Sequence, residues 1–251
     1  MEPAVSWRLR VNHMTRYRYP GTVRTSYNEA RMTPLSTPAQ TTIDARIDIR
    51  PTARAFRYWD YWGTLVHAFD VHQPHDELTV TATAVVETSA WTPCTDVVPW
   101  DALCGEDLQD RWCELLWPSR YVPDDPALAE VAEGLRSAAD PLAAAMAANT
   151  LVHDRMEYLP GSTTVATSGP EAFGSGHGVC QDFTHILLGI LRGMGIPARY
   201  ASGYLHPDLE SGMGESHAGQ SHAWVEAWVG DWVSLDPTDG GFAGPQHVLV
   251  A

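Results

Sequence analysis

The chain has 251 residues, of which 44% are hydrophobic, with 16 basic residues set against 31 acidic ones for a formal net charge of −15. The length suits one large domain or two smaller ones, and the acidity argues against nucleic acid and anionic membrane surfaces as partners. Every basic residue is arginine; the chain contains no lysine.

Residues Met1 to Arg10 lack the basic start and apolar run of an export signal, and no window approaches the roughly 18 apolar residues of a membrane span. The expectation is a cytoplasmic protein. Cys94, Cys104, Cys113 and Cys180 contain no Cys-x-x-Cys pair, so free thiols are expected rather than a zinc site or a disulfide framework.

From Trp7 to Tyr19, apolar and aromatic residues alternate with arginines, the period of a half-buried strand. The pattern returns from Ile43 to Ile49 and from Leu78 to Val86, with turn signals at Pro20-Gly21, Pro34, Pro51, Gly63 and Pro74. Strands with no helical stretch between them predict an antiparallel, sandwich-like β module over residues 1–95. The proline-containing stretch from Trp91 to Trp100 marks a boundary, and residues 96–251 form the second domain. There Glu106 to Leu116 reads as a helix. Asp125-Pro126 opens another, to Ala138, and Asp140-Pro141 a third, to about Tyr158, each as N-cap and N1. A Gly/Ser/Thr-rich loop covers 159–179, with a capping box at Ser168 to Glu171. The next helix starts at Cys180 with Ile186, Leu187, Ile190, Leu191 and Met194 on one face, and Gly195 stops it. Strands follow at Pro197–Leu205, His222–Val229 and Trp232–Leu235, and Gln246 to Val250 has a strand pattern. The fold class is α+β.

Cys180 is the cysteine with a chemical context. A helix N-terminus presents unpaired N–H groups and partial positive charge, which stabilise a thiolate and supply a donor for an oxyanion. From spacing alone, a buried inert thiol is an equal reading. Cys94, Cys104 and Cys113 read as structural or incidental. A nucleophilic thiol needs a base and an acid to orient it. His222 opens one strand and Asp236 ends the next, although an isolated strand histidine is the simpler reading of His222. A plain two-residue turn at Gly230-Asp231 would put His222 and Asp236 on opposite faces; a working pair requires a three-residue connection or a bulge. Asp231 and Asp239 are the rival carboxylates, and His217 the rival histidine. His177 reads as a loop residue. His185 and Asp182 read as structural, on the Cys180 helix. Trp224, Trp228 and Trp232 are candidates to line an apolar substrate groove. His67, His72 and His75 lack a cysteine or carboxylate framework, and no alternating-aspartate loop occurs, so neither a metal nor another cofactor is expected.

The segments Gly178-Val179-Cys180-Gln181-Asp182-Phe183-Thr184-His185, Gly195-Ile196-Pro197-Ala198-Arg199-Tyr200, His222-Ala223-Trp224-Val225-Glu226 and Leu235-Asp236-Pro237-Thr238 resemble, in order and spacing, the transglutaminase-like superfamily. Thr15 to Tyr19 and Asp60 to Gly63 resemble the β-rich module that precedes this core in bacterial members. The resemblance implies a papain-like core with Cys180 as nucleophile, His222 as general base and Asp236 as the residue orienting it. The implied chemistry is acyl transfer from a peptide or glutamine amide through a thioester to water or an amine, as protease, amidase or transglutaminase. The competing reading is a non-catalytic peptide-binding module of the same fold. Papain-like enzymes carry a glutamine, and many transglutaminases a tryptophan, upstream of the cysteine. Neither occurs between Trp117 and Cys180, which leaves the second oxyanion donor to Tyr158 or a loop N–H. The expected partner is a peptide or protein substrate, and the net charge of −15 permits a preference for cationic ones.

Overall fold

The structure is a computed structural model that describes residues 6–89, 96–207 and 214–251. Cys94, and with it the 95/96 boundary drawn from sequence, falls at residues outside the described ones. The chain forms two compact units. One comprises Met1–Trp91, Ser202–Ser221 and Gly244–Ala251; the other comprises Thr92–Ala201 and His222–Ala243.

The first unit begins with β1 (Ser6–Val23), β2 (Ser26–Ala30), β3 (Gln40–Arg50), β4 (Ala55–Trp59), β5 (Leu65–Val71) and β6 (His75–Ser89). They make two antiparallel sheets, β1-β6-β3 and β2-β5-β4. Period-two patterning decides which side of each strand is buried. Leu78, Val80 and Ile49 from one sheet cluster with Ala30, Phe69 and Val71 from the other. This is the sandwich read from the alternation. Pro20-Gly21 does not end β1, as its turn chemistry suggested. The strand runs on to Val23 with a register shift between Arg18 and Val23, which an edge strand tolerates because its outer N–H groups have no ladder partner to lose.

In the second unit come α1 (Trp100–Leu103), α2 (Glu106–Leu116), α3 (Pro126–Leu135), α4 (Pro141–Arg155), β7 (Glu157–Tyr158), α5 (Gly169–Ser175), β8 (His177–Gly178) and α6 (Cys180–Gly193). The Asp125 carboxylate accepts from Ala127 and Leu128 N–H, and Asp140 from Ala143 N–H, so both aspartates are caps. The α4 pattern stops three residues earlier than periodicity suggests. Glu157 N–H donates to Gly176 O and Leu159 N–H to Gly178 O, each at 2.9 Å, and this parallel pairing of β7 with β8 replaces the last helical turn.

Helix α6 is central to this unit. Ile186, Leu187, Ile190 and Leu191 are fully buried, as are Phe183 and Leu188 to within 2%, each worth about 1.5–3 kcal/mol of apolar burial. Gly189 and Gly193 form the stripe that faces α3: a Cβ on Gly189 would lie 2.8 Å from Leu128 Cδ1, and one on Gly193 3.0 Å from Ala132 Cβ. Beyond α6 lie β9 (Ala198–Leu205), β10 (Gln220–Trp228), β11 (Trp232–Asp236) and β12 (Gly241–Phe242), adjacent in the order β12-β11-β10-β9. In the first unit, β13 (His247–Leu249) pairs antiparallel with the Gly203–Leu205 end of β9. No helix among the described residues is long and apolar enough to cross a membrane.

Candidate active site

Cys180 is the first residue of α6, following Val179 in an extended N-cap conformation (φ −121°, ψ −179°). The approach is shaped by Asp182, which is fully buried. Its Oδ2 accepts from Val179 N–H at 2.9 Å and from the Thr163 hydroxyl at 2.6 Å. The carboxylate therefore satisfies one donor of the helix end and complements its dipole. Gly178 is required by this packing, because a Cβ there would come within 2.7 Å of Asp182 Cβ.

The β10–β11 connection sets the other half of the site. Trp228 lies opposite Trp232 and Val225 opposite Leu235, so Val229, Gly230 and Asp231 form a three-residue connection. That is the irregularity demanded by a working pair. Gly230 adopts φ +120°, a conformation available to glycine and strained for other residues. With this register Asp236 is level with Trp224, and His222, two residues before Trp224, lies diagonally across on the same face.

His222 Nε2 donates to Asp236 Oδ2 at 2.7 Å, with the two side chains 7% and 0% exposed. Asp236 Oδ1 accepts from Thr238 N–H at 2.9 Å. Burial works against a charged imidazole, but the hydrogen bonds to Asp236 and then to Cys180 outweigh it and push His222 up to about 10. The Cys180 side chain is near enough to the imidazole to add to that rise. Helix α4 holds the turn that follows Asp236: Asn149 Nδ2 donates to Gly241 O at 3.1 Å, and His153 Nδ1 donates to Thr238 O at 2.9 Å. Gly240, at φ +75°, sits where a Cβ would strike the His153 ring at 2.9 Å.

Around this group, Tyr158 is 45% exposed, and burial together with the neighbouring Cys180 raises its phenol above the usual value. Tyr200, which sequence reasoning did not single out, is raised more strongly by burial and then by Cys180 and Asp182. Its only sequence signal is its place at the end of the Gly195–Tyr200 block. His185 stacks on Tyr121 (5.3 Å, 4°) and packs against Tyr200 (5.4 Å), and burial lowers its imidazole; it packs, as expected.

Trp224 does not line a groove. It is 2% exposed and stacks on the His222 ring, so it backs the imidazole, because alternate residues of a strand share a face. Trp228 and Trp232 cluster with Trp112 of α2. Asp231 and Asp239 are exposed, with the Asp231 carboxylate accepting from Trp232 N–H. His217 belongs to the first unit, 3.5 Å from Glu215, and His177 lies 3.3 Å from Glu157. In the first unit His75 Nδ1 donates to Gln73 O.

Residues 9–87 match the bacterial transglutaminase-like N-terminal region and residues 129–237 match the transglutaminase-like superfamily. The chain belongs to the transglutaminase-like superfamily. It is 43% identical over 244 residues to the uncharacterized protein ML0607 of Mycobacterium leprae, covering 97% of this chain and 88% of that one. A protein-glutamine gamma-glutamyltransferase of Pseudomonas aeruginosa is 29% identical over 138 residues, 53% of this chain and 20% of that protein. Among solved structures, a protein of Cytophaga hutchinsonii described as a candidate cysteine protease superposes with a TM-score of 0.76. That match has 22% identity and covers 98% of this chain and 83% of that one, and it shows the shared fold.

Proposed function

We propose that this protein is a cysteine-dependent amide acyltransferase in which Cys180 is the nucleophile, His222 the general base and acid, and Asp236 the residue that orients His222. The observation that carries the reading is His222 itself, hydrogen-bonded to the buried Asp236 and raised further by Cys180 at the head of α6. Family membership supports it, as do the glutamyltransferase name of the Pseudomonas relative and the protease description of the Cytophaga protein, both of which denote chemistry at an amide carbonyl.

With His222 held protonated, Cys180 is the thiolate partner of the His222 imidazolium, and its sulfur attacks the amide carbonyl carbon, forming the C–S bond as the carbonyl π pair moves onto oxygen to give an oxyanion. The Cys180 N–H at the start of α6 is the main-chain donor we assign to that oxygen. Tyr200, whose phenol is raised in part by the neighbouring Cys180, is the hydroxyl we assign to assist. His222 returns its proton to the departing nitrogen as the C–N bond breaks and a thioester remains. Water or an amine then attacks the thioester, giving up a proton to His222 as the C–S bond breaks, and the Cys180 thiolate and His222 imidazolium are restored. Asp236 stays ionised throughout and fixes the tautomer of His222.

Alkylation by iodoacetamide, mapped by peptide mass spectrometry to separate Cys180 from the exposed Cys104, tests the reading. Labelling of Cys180 is expected to persist below neutral pH and to lose that acidic limb in His222→Ala. A profile indifferent to His222 overturns the proposal. Peptides incubated with and without a labelled amine then identify the acceptor: incorporation marks an amine, and cleavage or deamidation marks water.

A further inference from the structure

The segment from Tyr158 to Pro170 contains no Asp, Glu, Lys, Arg or His over thirteen residues, in a chain that is 19% charged. It is also tied to the head of α6 at several points. Tyr158 pairs with Gly178, and Leu159 N–H donates to Gly178 O at 2.9 Å. The Thr163 hydroxyl donates to Asp182 Oδ2 at 2.6 Å, and Gln181 Nε2 donates to Thr164 O at 3.1 Å. Its own turns are closed by Ser162 to Leu159 O and by the Thr164–Thr167 bonds. Such a segment is held on both sides of the residue that bears the thiol.

Three large apolar side chains of this anchored segment stay in solvent: Tyr158 at 45%, Leu159 at 43% and Val165 at 82%. A surface loop that serves only as a connection carries polar residues at such positions, and a single exposed leucine would need no explanation. Here the exposed apolar groups lie in one uncharged loop whose backbone and side chains bond to Gly178, Gln181 and Asp182, the residues flanking Cys180.

We infer that Tyr158, Leu159 and Val165 form the subsite that receives an uncharged, apolar side chain of the acyl donor, next to the amide presented to Cys180. The inference rests on the acyl-transfer reading and names its substrate class: a peptide with an aliphatic or aromatic residue at that position, in preference to an acidic or basic one. Burying such a side chain removes apolar surface on both partners from water, whereas a charged side chain there would lose hydration with no opposite charge in the loop to replace it. Net acidity elsewhere on the chain acts at longer range and is screened by salt.

The test uses N-acetyl-leucyl-, N-acetyl-glutamyl- and N-acetyl-lysyl-glycine vinyl sulfones as probes of Cys180, with iodoacetamide as a reagent without a side chain. The leucyl probe is expected to react at least about tenfold faster than either charged probe, the lower end of what an apolar pocket discriminates. The ratio is expected to fall toward one in Leu159→Ser and Val165→Ser. Because the ratio is taken within each variant, a partly inactive preparation does not affect it. Equal rates for the three probes, a faster lysyl probe, or a ratio unchanged by both substitutions overturns the subsite. If iodoacetamide labelling still depends on His222 in that case, the acyl-transfer reading stands without it. If labelling is indifferent to His222, the failure lies in the reading itself.

Discussion

His222 and Asp236 are separated by fourteen positions in sequence and joined at 2.7 Å through Nε2 and Oδ2. The three residues 229–231 make that possible, since a connection one residue shorter would turn Asp236 to the other face of β11.

Asp236→Asn keeps the shape of the side chain but removes the charge and allows the wrong tautomer of His222. Acyl-transfer activity is expected to fall on the order of 10^4-fold, the loss seen when an orienting carboxylate is neutralised in this way. Steady-state kinetics on a reactive peptide, beside a thermal melt that reports folding, checks it. A loss under tenfold would remove Asp236 from the mechanism.

Gly230→Ala forces a Cβ against Asp96 O at a backbone φ of +120°. The expected cost is about 1–3 kcal/mol of stability for the strained conformation. Urea denaturation measures it through the midpoint at unchanged slope.

Stability should fall as pH rises above neutrality. His222 is held at about 10 against an ordinary value of 6.5. Its stabilising contribution is therefore complete below about 6.5 and lost as pH climbs through about 10. Melting temperatures of wild type and His222→Ala between pH 6 and 10.5 are expected to converge toward the alkaline end. Curves that stay parallel across that window would show that His222 is not held protonated.

His153→Phe removes the donor to Thr238 O and loosens the turn whose Thr238 N–H binds Asp236. We expect the alkylation rate of Cys180 at pH 6 to drop several-fold and His153→Asn, which keeps a donor near the Nδ1 position, to restore most of it. Equal losses in both variants would assign His153 to packing alone.

Much of this site was legible in sequence because its parts are local. The apolar face of α6, the caps Asp125 and Asp140 and the parity argument at Gly230 each follow from periodicity or from the geometry of one turn. Tyr200, Asn149 and His153 were not legible in this way. Their roles depend on elements that meet only after the chain has folded, and each lies in a stretch whose own pattern reads as ordinary strand or helix. The early end of α4 has the same cause, since Glu157 and Leu159 bond to residues about nineteen positions later in place of continuing the helix.

The sequence by itself determined the α+β class, the long strands β1, β3 and β6 and the main helices, the superfamily, and Cys180 as a cysteine at a helix N-terminus. Only the tertiary structure decided that Trp224 backs His222 rather than facing solvent, and that the uncharged loop from Tyr158 is fastened to the head of α6. The physical reason is that period-two and period-3.6 patterns specify which side of an element is covered, while what covers it depends on contacts between residues far apart in the chain.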